Sequence, residues 1–531
     1  MMNPSIVPAS LTVTGPITWL SICSKAAVEW VSKQTGQSNF AQSAAHMAFN
    51  LTRRLKLDKF PQNAAVSEPD VETARRYTQA YFEERLDRAF AVVDRSAFQG
   101  RLDAQFEDGG ESDQEDPAWY ALRNVVYAYG CRIELSRRNS SVQAQSQAWK
   151  YFENALSVHV NLLYIRTDIT AVQALAAMAF FVNSLGCPAL EYMLVSNAVL
   201  LAYAKGLHLA IPSAWNGDEV EIQKRNHLFW SIYCLEKDIC FRSGRPSSID
   251  DEDISCSIPM PTEESPLDLQ LLSGSIRHAQ VLSRICKNML TVKGLERSSE
   301  ETVVAVQELE GQLEAWRQSL PLWMRPGTGI ESDDQSEKTH LGQRVDKVHL
   351  SHILHLRVAY HGSLSALHSI FFYPWNLLRF GPLEKDPALE KQVQTSTETV
   401  AQAARSIILS ARQNVVDSST LRSLGLVFPM VGLINLFIYI LKHPAHPGVA
   451  SDLLLMEIAA GYFSYLEFVL EDYSTFQFAK AFMLYAKAAV KQAGNSGAGN
   501  SASYAPVLGE LETLIINTYS LHDLAKLVVL S

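Results

Sequence analysis

Three groups of residues have types and spacings that could do chemistry. The first is Asp250-Asp251-Glu252-Asp253. Magnesium–diphosphate chemistry on a helix face asks for aspartates at i, i+1 and i+4, but position i+4 here is Ile254, and no second magnesium-ligand motif follows downstream. The run also trails Pro246 and Ser247-Ser248, a setting that suits a loop or a helix start. The second group is the histidines at 349, 352, 355, 361 and 368. His352 and His355 are i, i+3 neighbours on a helix, which permits shared metal ligation. Glu and Asp are absent from Leu350 to Phe380, so neither a third carboxylate ligand nor a general base accompanies them. The third group is the cysteines at 23, 131, 187, 234, 240, 256 and 286. Their odd number and scatter fit a reducing compartment rather than a disulfide framework. Cys234, Cys240 and Cys256 lie closest together, match no zinc spacing and are expected to behave as small buried apolar side chains.

No Gly-rich phosphate loop follows a strand, and Ser184–Cys187 (SLGC) is not a nucleophile elbow. The expectation is therefore no catalytic, metal or cofactor-binding residue, and no enzyme. The net charge of −10 argues against a surface that grips nucleic acid throughout. Apolar residues at 47% and charged residues at 19% are enough for a sizeable core.

The elements that would position these groups are helices. Apolar residues recur at three- and four-residue steps, with no sustained period-two alternation, so the fold class is all-α. Helices are expected at 71–93, 119–135, 146–163, 170–185, 190–206, 219–241, 267–292, 299–320, 350–372, 393–413, 421–441, 450–469 and 508–530. One shorter helix is expected between Trp19 and Gly36. Gly206 sits where a left-handed residue would end its helix. The stripe Val303, Val306, Leu309, Leu313, Trp316 and Leu320 has coiled-coil character but stops at Pro321. The uncharged runs 169–190 and 424–441 approach the length of membrane spans. Their Asn, Gln, Gly and Pro residues favour helices buried on all sides, so no membrane is expected. The first positive charge is Lys25, and prolines at 4, 8 and 16 interrupt the apolar residues before it, so no signal peptide is expected.

Four regions follow from this reading. Residues 1–70 form a mildly basic N-terminal segment and linker, with Arg53–Lys59 as its basic cluster. Residues 71–490 form one large helical domain, 491–505 a flexible linker and 506–531 a C-terminal helix.

The stretch 198–259 is the most specific in the chain. A helix ends at Gly206-Leu207-His208, and a second helix carries Lys224-Arg225, Phe229-Trp230 and Tyr233. Gly244-Arg245-Pro246 then opens onto Ile249–Ile254, with Asp251 and Asp253, and the segment closes at Pro259. This order resembles the regulatory, or middle homology, domain of fungal zinc-cluster transcription factors. Glu236-Lys237 stands where that family usually has Asp-Arg. Tyr81-Phe82, Glu308–Pro326, Leu354-His355-Leu356, Tyr360-His361, Leu367-His368 and Ala403-Ala404-Arg405 extend the resemblance over roughly Val71 to Val490. The family's DNA reader, six cysteines around two zinc ions beginning Cys-x2-Cys, is not among these residues; either it has been lost or the chain begins downstream of it.

The resemblance implies a large multi-helix regulatory domain in a nuclear transcriptional regulator. Protein contacts with the transcription machinery, or pairing in a homo- or heterodimer, would carry its action, with a small effector among the helices. DNA would be touched only through an upstream zinc cluster. The alternatives are a partner module of the same fold with no DNA role and, more remotely, a helical isoprenoid-type enzyme. Within the signature, Trp230, Tyr233 and Lys237 share one helix face, expected to bury its aromatics against the helix that ends at Gly206. Arg245 is expected to pair with Asp250, Asp251 or Asp253 and pin the turn.

Overall fold

A computed structural model describes residues 18–498, except 38, 54–65, 86–87, 108–115, 138–140, 166–167, 186, 212–217, 263–264, 328–345, 383–385, 412–422 and 471–475. Among the described residues every regular element is helical. The order begins with α1 (Lys25–Thr35), α2 (Phe40–Arg53), α3 (Val71–Glu84), α4 (Arg95–Glu107), α5 (Pro117–Ser136) and α6 (Ser141–Ser157). It continues with α7 (His159–Tyr164), α8 (Ile169–Asn183), α9 (Pro188–Ala204), α10 (Glu219–Ser243), α11 (Leu267–Met289) and α12 (Val292–Leu295). The remainder are α13 (Ser299–Ser319), α14 (Lys347–Phe372), α15 (Pro374–Leu377), α16 (Pro387–Ala411), α17 (Phe428–Lys442), α18 (Val449–Leu470) and α19 (Gln477–Ala498).

Helix starts follow from short polar side chains that satisfy backbone N–H groups the first turn leaves free. Asp70 accepts from Thr73 N, Asp168 from Ala171 N and Asp218 from Val220 N. Ser298 and Glu301 form a reciprocal capping box at α13. The α9 terminus is a Schellman motif: Leu207 N–H donates to Ala202 O and Gly206 N–H to Tyr203 O, both at 2.9 Å. Gly206 has φ +63°, which a side chain would resist.

Three cores follow each other. The first gathers α3, α5, α6, α8, α9 and α10. α5 and α8 are buried on nearly every side, so their apolar residues run without a polar stripe. The middle core joins α11, α13 and α14. Here the α13 stripe is spent inside the fold: Val306, Leu309, Leu313, Trp316 and Leu320 are buried, and Trp316 Nε1 donates to Gly274 O at 2.9 Å. The last core surrounds α17, whose apolar run is the buried centre of a bundle with α16, α18 and α19.

Several boundaries differ from expectation. The first long periodic run stops at Glu84 and resumes as a 3-10 turn at Arg88–Phe90. The 146–163 run is two helices, α6 and α7. α2, α4 and α19 were not foreseen. Residues 18–53 do not stand apart from the main domain. Phe40 packs its ring on Phe437, Phe482 and Tyr485, and Trp375 Nε1 donates to Ser21 Oγ at 3.2 Å. The physical reason is the apolar edge of α2, with Phe40, Ala44 and Met47 at steps of four and three, which finds its partner across the chain. α19 extends to Ala498, into residues read as a linker, because an established helix adds residues at one hydrogen bond each. Residues 54–59 of the basic cluster and the 508–530 helix lie outside the described residues.

The first core depends on a close approach of α3 and α5. A Cβ placed on Gly130 would lie 2.0 Å from the Tyr77 carbonyl oxygen, and backbone cannot give way as a side-chain tip can. Gly130→Ala should therefore destabilise by about 3 kcal/mol, at the upper end for overpacking, despite alanine's better helix propensity. Urea unfolding followed by circular dichroism would read it, and a neutral or stabilising result would contradict this packing.

Candidate functional site

The signature stretch assembles around two adjacent charges in the middle of α10. Glu236 is fully buried and Lys237 nearly so. Charges buried that deeply must be hydrogen-bonded or paired. The chain solves this by turning back after Gly244, which caps α10 at φ +67°, and laying residues 246–257 along the helix. Glu236 accepts from Ser248 N at 2.6 Å and from the Ser247 and Ser248 hydroxyls. Lys237 Nζ donates to Ile249 O at 2.7 Å and Ser247 Oγ at 2.9 Å, and pairs with Asp251 at 3.2 Å. Tyr233 Oη donates to the same Asp251 oxygen at 3.0 Å, and Trp230 Nε1 to Ser257 O at 2.9 Å. Burial, then the Asp251 charge, pushes the Tyr233 phenol well above its ordinary range.

Trp230, Tyr233 and Lys237 do share one face, but that face meets the returning segment. The neighbour on it is not the helix that ends at Gly206; that side of α10 is taken by Phe229, whose ring faces His208, itself 4.4 Å from Tyr203. The His208 carbonyl accepts from Ser255 N and Cys256 N, so Gly206-Leu207-His208 ties the end of α9 to the far end of the return. Leu207 is buried beneath it. Arg225 donates to Lys205 O at 3.2 Å, satisfying a carbonyl at the α9 terminus.

The expected pairing of Arg245 with Asp250, Asp251 or Asp253 is not what the structure contains. Arg245 lies over the Tyr192 ring at 5.4 Å and reaches Pro188 O, while Tyr192 Oη donates to Pro246 O at 3.0 Å. Lys237 takes Asp251 because it stands one turn beyond Tyr233 on the covered face. Asp250 caps the short turn through Glu252 N and faces Lys287; Asp253 is exposed and Pro259 half-buried. The acidic run is thus split, with Asp251 on Lys237 and Asp250 and Glu252 sharing Lys287, so each of these carboxylates answers a cation of the fold. Burial pushes the Cys234 and Cys240 thiols up, and the Cys256 thiol up to about 12, which keeps them protonated and poor as metal ligands.

A cavity of about 70 Å³, room for a few waters, lies between α8, α10, α11 and α14. Phe90 and Phe180 stack at one wall, and His278, His352, His355, Asp238 and Cys234 reach its lining. The Ser275 and Ser363 hydroxyl protons go to their own helix carbonyls, Leu271 O and Ala359 O. His352 Nε2 at 3.1 Å from Ser275 Oγ, and His278 Nε2 at 3.0 Å from Ser363 Oγ, must therefore be the donors, which assigns both tautomers. Burial, then the neighbouring His355, pushes both down to about 3. Asp238 is held by Arg242, which also bridges to the buried Glu191 at 2.9 Å. Burial raises the Glu191 carboxyl to about 7 although Arg242 and Asn183 hold it down. The remaining histidines of α14 disperse: His349 pairs with Asp268 and Asp346, His361 packs edge-on to the Tyr360 ring, and His368 pairs with Ser396 and Glu310. Among the described residues no three His, Cys, Asp or Glu side chains converge as metal ligands.

The signature is legible in the sequence, but Glu236-Lys237 stands there as a departure from the family pattern and only the fold makes it the hub. The available signal was the charged triplet Glu236-Lys237-Asp238 between the apolar runs 228–235 and 239–241. His278 was overlooked, because its one visible cue was a lone imidazole among apolar residues.

Two measurements check this geometry. Lys237→Met leaves Asp251 and the Ile249 carbonyl without their cation and should cost about 3 kcal/mol, whereas removing the half-buried cation–π partner by Arg245→Ala should cost about 1 kcal/mol or less. Equal losses in urea unfolding would contradict the assignment. His278 and His352 stay neutral when folded, whereas the unfolded chain takes up protons below about pH 6.5, so stability falls as pH drops from about 6.5 toward 3. His352→Gln should flatten the pH 5–6 slope of unfolding free energy by about 1 kcal/mol per pH unit; an unchanged slope would refute the buried neutral imidazole.

Comparison with known proteins agrees with this architecture. Residues 78–318 match the fungal specific transcription factor domain. An ABC-transporter-regulating transcription factor of Aspergillus fumigatus is 27% identical over 474 residues, covering 85% of this chain and 51% of the relative, and the protein so named from Aspergillus oryzae matches equally. The Fusaridione A cluster transcription factor of Fusarium heterosporum is 30% identical over 213 residues, 38% of this chain and 40% of its own. The chain spans about half the length of the first two relatives. No solved structure matches it. The return over α10 lies inside the stretch, residues 78–318, that matches the fungal specific transcription factor domain.

Proposed function

We propose that this chain is the regulatory part of a nuclear transcriptional regulator. It acts through protein contacts, with the transcription machinery or with another regulator of the same kind, and not by catalysis. The observation that carries this reading is the likeness across 85% of the chain to relatives named as transcription factors, joined to the domain match over 78–318. The names of the two Aspergillus relatives favour genes for ABC transporters as its targets. The finer element, a small effector, is supported by the cavity among α8, α10, α11 and α14. At about 70 Å³ it admits only a few atoms unless Phe90 and Phe180 move apart. Sequence-specific contact with DNA would require a zinc-cluster reader joined to this chain, and a chain that lacks one acts through protein contacts alone, in keeping with the net charge of −10.

The test is to place an unrelated DNA reader before residue 1 and measure a reporter carrying that reader's site. A change of about fivefold or more, in either direction, is expected; a reporter that stays at the level of the reader alone sinks the proposal. The unfused chain should show no sequence-dependent duplex binding at physiological salt. Tight, sequence-dependent binding would overturn the assignment of DNA reading to a separate module.

A further inference from the structure

A second cavity, of about 40 Å³, lies where the 3-10 turn Trp19–Cys23 meets the end of α10, the middle of α14 and α17. That is room for about three waters. Its walls are largely apolar, with Phe241, Ala366, Phe428 and Val431 among them. They are close-packed: a Cβ on Gly362 would lie 2.4 Å from the Phe428 ring.

Three residues of this lining each hold a buried polar atom with no hydrogen-bond partner: Trp19 Nε1, Ser365 Oγ and Asn435 Nδ2. Ser365 and Asn435 are themselves buried throughout. A single unpaired atom is a common imperfection of a large core. Three on one cavity, from elements far apart in sequence, call for a shared partner.

The atoms define what that partner is. An indole N–H can only donate. Asn435 Oδ1 already accepts from Tyr373 Oη at 2.9 Å, which leaves the amide N–H groups. The Ser365 hydroxyl also carries a proton, so all three can donate and the occupant must accept. A carbonyl oxygen has two lone pairs and serves two donors at once. The occupant is uncharged for a separate reason. Arg242 reaches the same cavity, but its guanidinium already binds Asp238 at 2.7 Å and Glu191 at 2.9 Å. A third carboxylate would be buried there without a cation of its own.

We propose that this cavity binds a small uncharged carbonyl compound, a short ketone, amide or ester. Its oxygen faces Trp19, Ser365 and Asn435, and its alkyl body lies against Phe428 and Val431. Such a ligand ties the Trp19–Cys23 turn to α14 and α17, and it touches α10 at Arg242, just before the Gly244 cap. The site is separate from the histidine-lined cavity and does not rest on the regulatory reading.

Acetone and acetate are alike in size and shape and differ in charge. Each is titrated into the full chain carrying isotope-labelled tryptophan. The indole N–H resonance of Trp19, identified by its loss in Trp19→Phe, should move downfield with acetone. It should saturate at concentrations on the order of 10 mM, as suits a ligand of four heavy atoms. Acetate should leave it in place. Ser365→Ala should weaken acetone about fivefold, the worth of one neutral hydrogen bond. In the ligand-free protein the same substitution should leave the urea midpoint unchanged or raise it, because it removes an unpaired polar atom. Three results would overturn the proposal. A Trp19 resonance that acetone never moves means there is no site. Acetate moving it as far as acetone means an anion site. A lower urea midpoint for ligand-free Ser365→Ala means that the hydroxyl already holds an ordered water, and water is then the occupant.

Discussion

A glutamate and a lysine side by side in the buried middle of α10 dictate much of the first half of the fold. Neighbouring residues on a helix point about 100° apart, so Glu236 and Lys237 cannot satisfy each other and must each be met from outside. The return segment meets both, with serine hydroxyls and an amide for the carboxylate, and a carbonyl and Asp251 for the ammonium. A turn after Gly244 with another register would bury at least one of these charges without a partner. The Gly-Arg-Pro turn, the serine pair and Asp251 are therefore coupled consequences of one buried pair. The return in turn accounts for His208, whose carbonyl receives the far end of the segment, and hence for the Schellman ending of α9.

The histidine-lined cavity sits on the other flank of the same helix. Asp238 follows Lys237 directly and faces it, held by Arg242, whose second bond to Glu191 fixes α10 against α9. Movement of α10 at the cavity would thus be felt in the return segment through adjacent residues. That is a physical route by which an occupant between α8 and α14 could bear on the signature. It needs no catalytic group, and the neutral, hydrogen-bonded imidazoles are in a state suited to packing.

How much of this could be read in advance depends on the scale of each cause. Helix existence follows from local periodicity: the expected spans of α5, α8, α10 and α13 agree within a few residues, while α17 begins seven residues later than its expected start. The Gly206 ending was legible because its chemistry is confined to five residues. α2 and α4 were missed because their apolar residues are few and their partners distant; Phe40 is explained only by Phe437 and Phe482, some four hundred residues away. The Arg245 error has the same origin. Two cations lay within reach of Asp251, and nothing local ranks them. Which one is adjacent depends on how the return registers on α10, and that register follows from the burial of Glu236, which no charge count reveals.

The same reasoning bears on the long apolar helices. α17 and α18 each have the length and composition of a membrane span, yet only α17 is largely enclosed, with 78% of its span buried against 33% for α18. Composition treats them alike because both carry the same apolar residue types. The bundle tells them apart because a helix at its centre has neighbours on every side, and one at its edge does not.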